Sequence, residues 1–157
     1  SINSTGSLKK EIKPGMIVVP DDFLTLTPSP TIHVNRPVHI IPSLNEGIRK
    51  KLIRAALKND FEVVQQGTYW QTQGPRLETK AEISTMTRFA DIVGMTMANE
   101  AVIAQEMDIP YACACSVDNF GNGLMAEPLS MEEIISHTRK NAQRMIQLLD
   151  RYLQMFF

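Results

Sequence analysis

Cysteine is scarce. The 157 residues hold two, Cys113 and Cys115, too few for a disulfide framework. One residue apart, they would share one face of a strand. The pair therefore reads as two buried thiols in a reducing compartment, and the expected location is the cytoplasm. An excess of charge of one sign is also lacking: 16 Lys and Arg stand against 17 Asp and Glu, for a net charge of -1. No run of basic residues is longer than Arg49-Lys50-Lys51. A nucleic-acid groove and a polybasic membrane patch are both excluded on that ground. No uninterrupted apolar stretch reaches the roughly 18 residues that a membrane-spanning helix needs. The His and Cys spacing supports no metal site. There is no initiator Met. Ser1 to Gly6 reads as a strand end running into a Gly turn, so the chain is expected to start in mid-domain.

What is present is apolar and regularly patterned. With 43% hydrophobic residues, the chain can bury one core. Met16–Val19, between Pro14-Gly15 and Pro20, reads as a buried strand. Pro28, Pro30, Pro37 and Pro42 exclude a helix from residues 25–42, which read as a loop. An amphipathic helix follows, with Ile48, Leu52, Ile53, Ala56 and Leu57 on one face and Ser43 with Glu46 as its capping box. Phe61–Gln71 reads as one or two strands, Glu78–Arg88 as a helix, Asp91–Met95 as a strand and Ala98–Met107 as a helix. Tyr111–Val117 is a further strand, ending in a polar turn at Asp118–Gly123. A last helix starts at Ser130, with Glu133 completing a second capping box, and buries Ile134, Ile135, Thr138, Ala142, Met145, Leu149 and Tyr152. Alternating strands and helices predict an α/β fold with a mainly parallel central sheet flanked by helices. Ligands of such sheets gather beyond the strands' carboxyl ends. Asn3–Gly6, Gly94–Thr96 and Asp118–Gly121 are expected there.

Four stretches carry a family resemblance. They are Gly6-Ser7-Leu8 through Pro14-Gly15 and Ile17-Val18; Gly74-Pro75-Arg76-Leu77-Glu78-Thr79-Lys80-Ala81-Glu82; Asp91–Thr96 with Glu100; and Tyr111–Asn119. In this order they resemble the family of purine nucleoside and methylthioadenosine or methylthioinosine phosphorylases. The resemblance covers nearly the whole chain to about Ile135, and implies that residues 1–157 are the C-terminal two-thirds of a single nucleoside phosphorylase domain.

It also implies roles. Asn3, Ser4 and Thr96 match phosphate-binding positions, and the Met95 main-chain amide matches one that meets the ribose hydroxyls. A hydroxyl and free amides beside a helix start suit an anion; the plainer reading of Thr96 is a helix N-cap, and of Met95 a core residue. Asn119, Phe120 and Gly121 fall on the purine loop, where methylthioadenosine enzymes carry two aspartates, matched here by Asn119 and Gly121. An amide can donate to O6 and face N7, whereas a carboxylate only accepts. Glu78 sits where 6-oxopurine enzymes keep a Glu that accepts from N1–H. Both point to a 6-oxopurine, although Asn119 is also a common turn residue. Asp118 lies one residue too early for the base. Met131 replaces a His that meets the 5'-hydroxyl in ordinary nucleoside phosphorylases. With Ile134 and Ile135 it suggests an apolar 5' pocket favouring a methylthio group by roughly 1–3 kcal/mol; the alternative is an ordinary core stripe. His39 resembles a residue reaching a neighbouring subunit's 5' pocket. His33 and His137 receive no role.

The implied reaction is attack of inorganic phosphate on the anomeric carbon with departure of the purine. Asn119 would act as the catalytic donor to charge growing on the base, and Ser4 and Thr96 would align the phosphate. No cofactor is implied beyond phosphate as co-substrate. The resemblance also implies a homotrimer or hexamer, and about 80 further N-terminal residues, within ordinary domain size. Those carry a Gly-rich phosphate loop and an Arg-His pair. Neither motif occurs here, so the chain alone is expected to be poorly active, its other part being a separate N-terminal chain, a disordered region or a cloning omission. The competing readings are methylthioadenosine phosphorolysis, nucleoside hydrolysis and a non-catalytic subunit remnant.

Overall fold

The computed structural model describes residues 1–157. Seven strands form one sheet in the order β3-β5-β6-β1-β7-β2-β4. They are β1 (Ile2–Ser7), β2 (Ile17–Val18), β3 (Asp22–Thr25), β4 (Val63–Val64), β5 (Thr68–Gln71), β6 (Ile92–Gly94) and β7 (Ala114–Phe120). The helices are α1 (Glu46–Leu57), α2 (Lys80–Met86), α3 (Met97–Glu106) and α4 (Met131–Phe156). Pairing is parallel for β1–β7, β2–β4, β3–β5 and β5–β6, and antiparallel for β1–β6 and β2–β7. The sheet is mainly parallel, with its central strand paired both ways.

Side-chain alternation divides the core between two faces. On one face, Ile17, Val19, Ala112 and Ala114 meet Leu52, Ile53 and Ala56 of α1 and Met145 and Leu148 of α4. Their neighbours Val18, Cys113, Cys115 and Val117 point the other way and pack with Tyr69, Ile92 and Met97 at the start of α3. Leu8, Trp70 and Val93 pack with Ile83 and Met86 of α2. Both thiols are buried and free.

The helix starts follow side-chain chemistry. Asn45, not Ser43, caps α1, accepting from the Ile48 amide at 2.9 Å; the Ser43 amide is engaged by Gln105 Oε1. Thr79 and Glu82 form a reciprocal capping box at α2. Ser130 caps α4 through the Glu133 amide.

Three expectations are corrected. The strand expected at Tyr111–Val117 runs instead from Ala114 to Phe120. Asp118 and Asn119 look like a turn, but the backbone pairs onward to β1, Asn119 opposite Gly6 and Phe120 opposite Ser7. Strand β3 begins in a segment that carried no strand signal. In α4, Ile135 is 47% exposed and Ala142 is exposed, while Asn141 and Leu148 are buried. An apolar pattern could not show that a polar residue belongs inside.

Candidate active site

One cavity of about 320 Å³ lies against β1. Its walls include Ser4 and Gly6, the Gly94-Met95-Thr96 end of β6, Asn119 and Gly121 at the end of β7, Glu78, and Ile134 of α4. The segments do not share a common carboxyl edge. Because β1 runs antiparallel to β6 and parallel to β7, the end of β6 lies beside Ser4 and the end of β7 beside Gly6. The cavity therefore follows the length of β1.

Seven expected residues meet here: Ser4, Glu78, Met95, Thr96, Asn119, Gly121 and Ile134. Phe120 lines an adjoining cavity of about 280 Å³ that shares Asn119, Gly121 and Ile134. Met131, 57% exposed, lines a third with Leu77, Glu78 and Leu129. Ile135 faces outward and Asn3 lies behind the wall, so neither lines the cavity. His39 is exposed and also lies outside it. No three His, Cys, Asp or Glu side chains cluster to hold a metal.

At the β7 end, strand alternation separates two polar neighbours. Asp118 is fully buried and turns towards α4, accepting from Ser4 Oγ at 2.5 Å, Thr138 Oγ1 at 3.1 Å and Asn141 Nδ2 at 2.7 Å. His137 Nδ1 bonds the Asp118 carbonyl at 2.9 Å, a contact without a signal in the sequence. Asn119 is left to the cavity, with Nδ2 donating to the Phe120 carbonyl at 2.8 Å. A second Nδ2 proton and Oδ1 remain for a ligand. Gly121 is closely packed: a Cβ there would sit 2.9 Å from Ile83 Cδ1 and 3.1 Å from the Ser7 carbonyl oxygen, so one or both would have to shift.

Glu78 is 8% exposed. Thr72 Oγ1 donates to its Oε1 at 2.7 Å, and Asn122 Nδ2 donates to its carbonyl at 3.1 Å. Gly74 allows the preceding turn. Its φ is +66°, and a Cβ would lie 2.5 Å from Met95 Sδ.

The β6 end differs from an open anion site. Thr96 occupies the N-cap position of α3 but makes no capping bond with its side chain; its hydroxyl donates to Asn3 Oδ1. Asn3 Nδ2 in turn donates to Cys113 Sγ at 3.0 Å. Tyr69 Oη accepts from the amides of Thr96 and Met97, and Gln71 Oε1 from those of Ala98 and Asn99. Burial raises the Tyr69 pKa, which keeps the phenol neutral. The free amides expected at this helix start are thus already satisfied. Sequence reasoning missed Tyr69 and Gln71, whose only trace was a polar residue closing an apolar strand. No Lys, Arg or His lines the cavity.

A family model described as the phosphorylase superfamily matches residues 1–154. The chain belongs to that superfamily. Among its relatives, a probable 6-oxopurine nucleoside phosphorylase of Archaeoglobus fulgidus is 36% identical over 150 residues, covering 95% of this chain and 62% of the relative. A probable S-methyl-5'-thioinosine phosphorylase of Methanocaldococcus jannaschii is 30% identical, over all of this chain and 64% of the relative. An S-methyl-5'-thioadenosine phosphorylase of Pyrococcus horikoshii is 33% identical, over 96% and 60%. The solved structure of methylthioadenosine phosphorylase from Schistosoma mansoni with adenine matches the fold with a TM-score of 0.85. It is 22% identical, over 98% of this chain and 63% of that one. This phosphorylase-superfamily chain thus spans between about half and two-thirds of the length of the relatives it matches.

Proposed function

We propose that this chain forms the purine-binding part of a phosphorylase for a 6-oxopurine nucleoside, S-methyl-5'-thioinosine, inosine or guanosine. The products are the free base and (5-methylthio)ribose 1-phosphate, as in purine salvage. One observation carries the reading: Asn119 and Glu78, an amide and a carboxylate, line the same cavity, while the position matching the second purine-loop acid is Gly121, where a Cβ would crowd the Ser7 carbonyl oxygen at 3.1 Å. Asn119 supplies the amide whose free proton donates to O6 or N7 as negative charge grows on the leaving base. Glu78 accepts from N1–H. The nearby acid, Asp118, is occupied with Ser4 and α4 and does not compete for the base.

The names of the Archaeoglobus and Methanocaldococcus relatives agree with a 6-oxopurine substrate. The Pyrococcus relative's name points to the 6-amino alternative, against which Gly121 stands. Ile134 and Leu129 give the α4 side of the cavity an apolar wall, which suits a 5'-methylthio group. At the phosphate end, Ser4 and Thr96 donate their protons inward and no cation is present. Phosphate is held there once polypeptide corresponding to the relatives' remaining length supplies positive charge, in a homotrimer or hexamer. Calorimetric titration of the purified chain with hypoxanthine and with adenine tests the reading. Hypoxanthine is expected to bind at least about tenfold more tightly; equal or reversed affinities would refute the 6-oxopurine assignment.

A further inference from the structure

Thr72 lies just past the end of β5, outside the cavity lining, and the family resemblance assigned it nothing. Its backbone amide donates to the Gly94 carbonyl at 2.8 Å, which fixes it against β6. Its hydroxyl donates to Glu78 Oε1 at 2.7 Å. No other side chain bonds the Glu78 carboxylate, and Oε2 has no protein partner. Glu78 stands between the nucleoside cavity and a larger one of about 650 Å³ lined by Trp70, Thr72, Arg76 and Glu82. Glu78 also borders the cavity shared with Met131, and Thr72 is the one side chain bonded to this buried carboxylate.

We propose that Thr72 is the positioning residue that sets base specificity, holding Glu78 by one oxygen so that the other is presented to the purine as an acceptor. This rests on the 6-oxopurine reading and deepens it. A carboxylate acceptor meets N1–H of hypoxanthine, but it faces a lone pair at N1 of adenine. Fixing the carboxylate therefore rewards one base and not the other. A residue with a purely structural role would affect both bases alike.

The test compares the full chain with T72V, which keeps the shape without the hydroxyl, and T72S, which restores the hydroxyl. Hypoxanthine and adenine are titrated into each by calorimetry. The expected T72V result is about a tenfold loss of hypoxanthine affinity, the scale of one hydrogen bond to a charged group. Adenine affinity should be unchanged, and T72S should recover most of the loss. Equal weakening of both bases, or no change for hypoxanthine, overturns the proposal. Crystal structures of the wild-type chain and T72V give a reading that does not depend on binding. Glu78 should leave its place in T72V, and an unmoved carboxylate contradicts the role of Thr72. If the wild-type chain binds neither base, the 6-oxopurine reading fails, and Thr72 is judged by that structural comparison alone.

Discussion

At the scale of single residues, the site depends on what each polar group has already been given. Asp118 accepts three side-chain hydrogen bonds in full burial. Removing it with Asp118→Ala should leave Ser4 and Thr138 without their acceptor and Asn141 with only the Val117 carbonyl, and cost about 1.5–3 kcal/mol, read as a lower urea midpoint. Asn119→Asp should cut hypoxanthine affinity without that loss of stability, since Asn119 is part-buried and the only protein bond of its side chain is to the neighbouring carbonyl. Glu82 offers a pH test. Arg76 and the Thr79 amide hold its carboxyl down to about 2. A carboxyl lowered on folding stabilises the fold above its unfolded value of roughly 4.3, and that contribution is lost as pH falls towards 2. Arg76→Ala should move the Glu82 titration up towards the ordinary carboxylate range. Carboxyl-detected NMR checks this, and an unmoved titration would count against the ion pair.

Among the elements, the start of α3 separates what the sequence revealed from what it hid. The helix was legible because its apolar residues repeat, and Thr96 was legible as a cap by position. Its capping partners were not, because Tyr69 and Gln71 lie more than 20 residues earlier on β5. Tyr69→Phe should leave two amides of α3 unpaired and cost about 1–3 kcal/mol, measurable as a lower Tm. The same logic explains the other differences. Strand β7 runs past Asp118 because β1 supplies non-local partners. Asn141 is buried in α4 because Asp118 and the Val117 carbonyl await its amide. The cavity was largely legible, since Ser4, Glu78, Met95, Thr96, Asn119, Gly121 and Ile134 converge on it. Asn3, Met131 and Ile135 were assigned from aligned position without regard to the face each presents. Asn3 is instead engaged by Thr96 and Cys113 outside the lining, and the helix register turns Ile135 outward.

For the whole molecule, the two ends of the cavity are unequal. The end proposed for the purine has Asn119, Glu78 and a closely packed glycine; the end proposed for phosphate has hydroxyls whose protons are committed and no cation. Inorganic phosphate should therefore bind the isolated chain with a Kd weaker than about 1 mM, in contrast to the base. Phosphorolysis by the chain alone should be slow. Tight phosphate binding in calorimetry, or rapid phosphate-dependent release of hypoxanthine, would contradict this. The most direct measurement is a crystal structure of the chain with hypoxanthine bound. The expected result is the base lying along β1, with Asn119 within hydrogen-bond distance of O6 or N7 and the free Glu78 oxygen on N1. A base seated elsewhere, or one met by Asp118 with Asn119 turned away, would contradict the central claim.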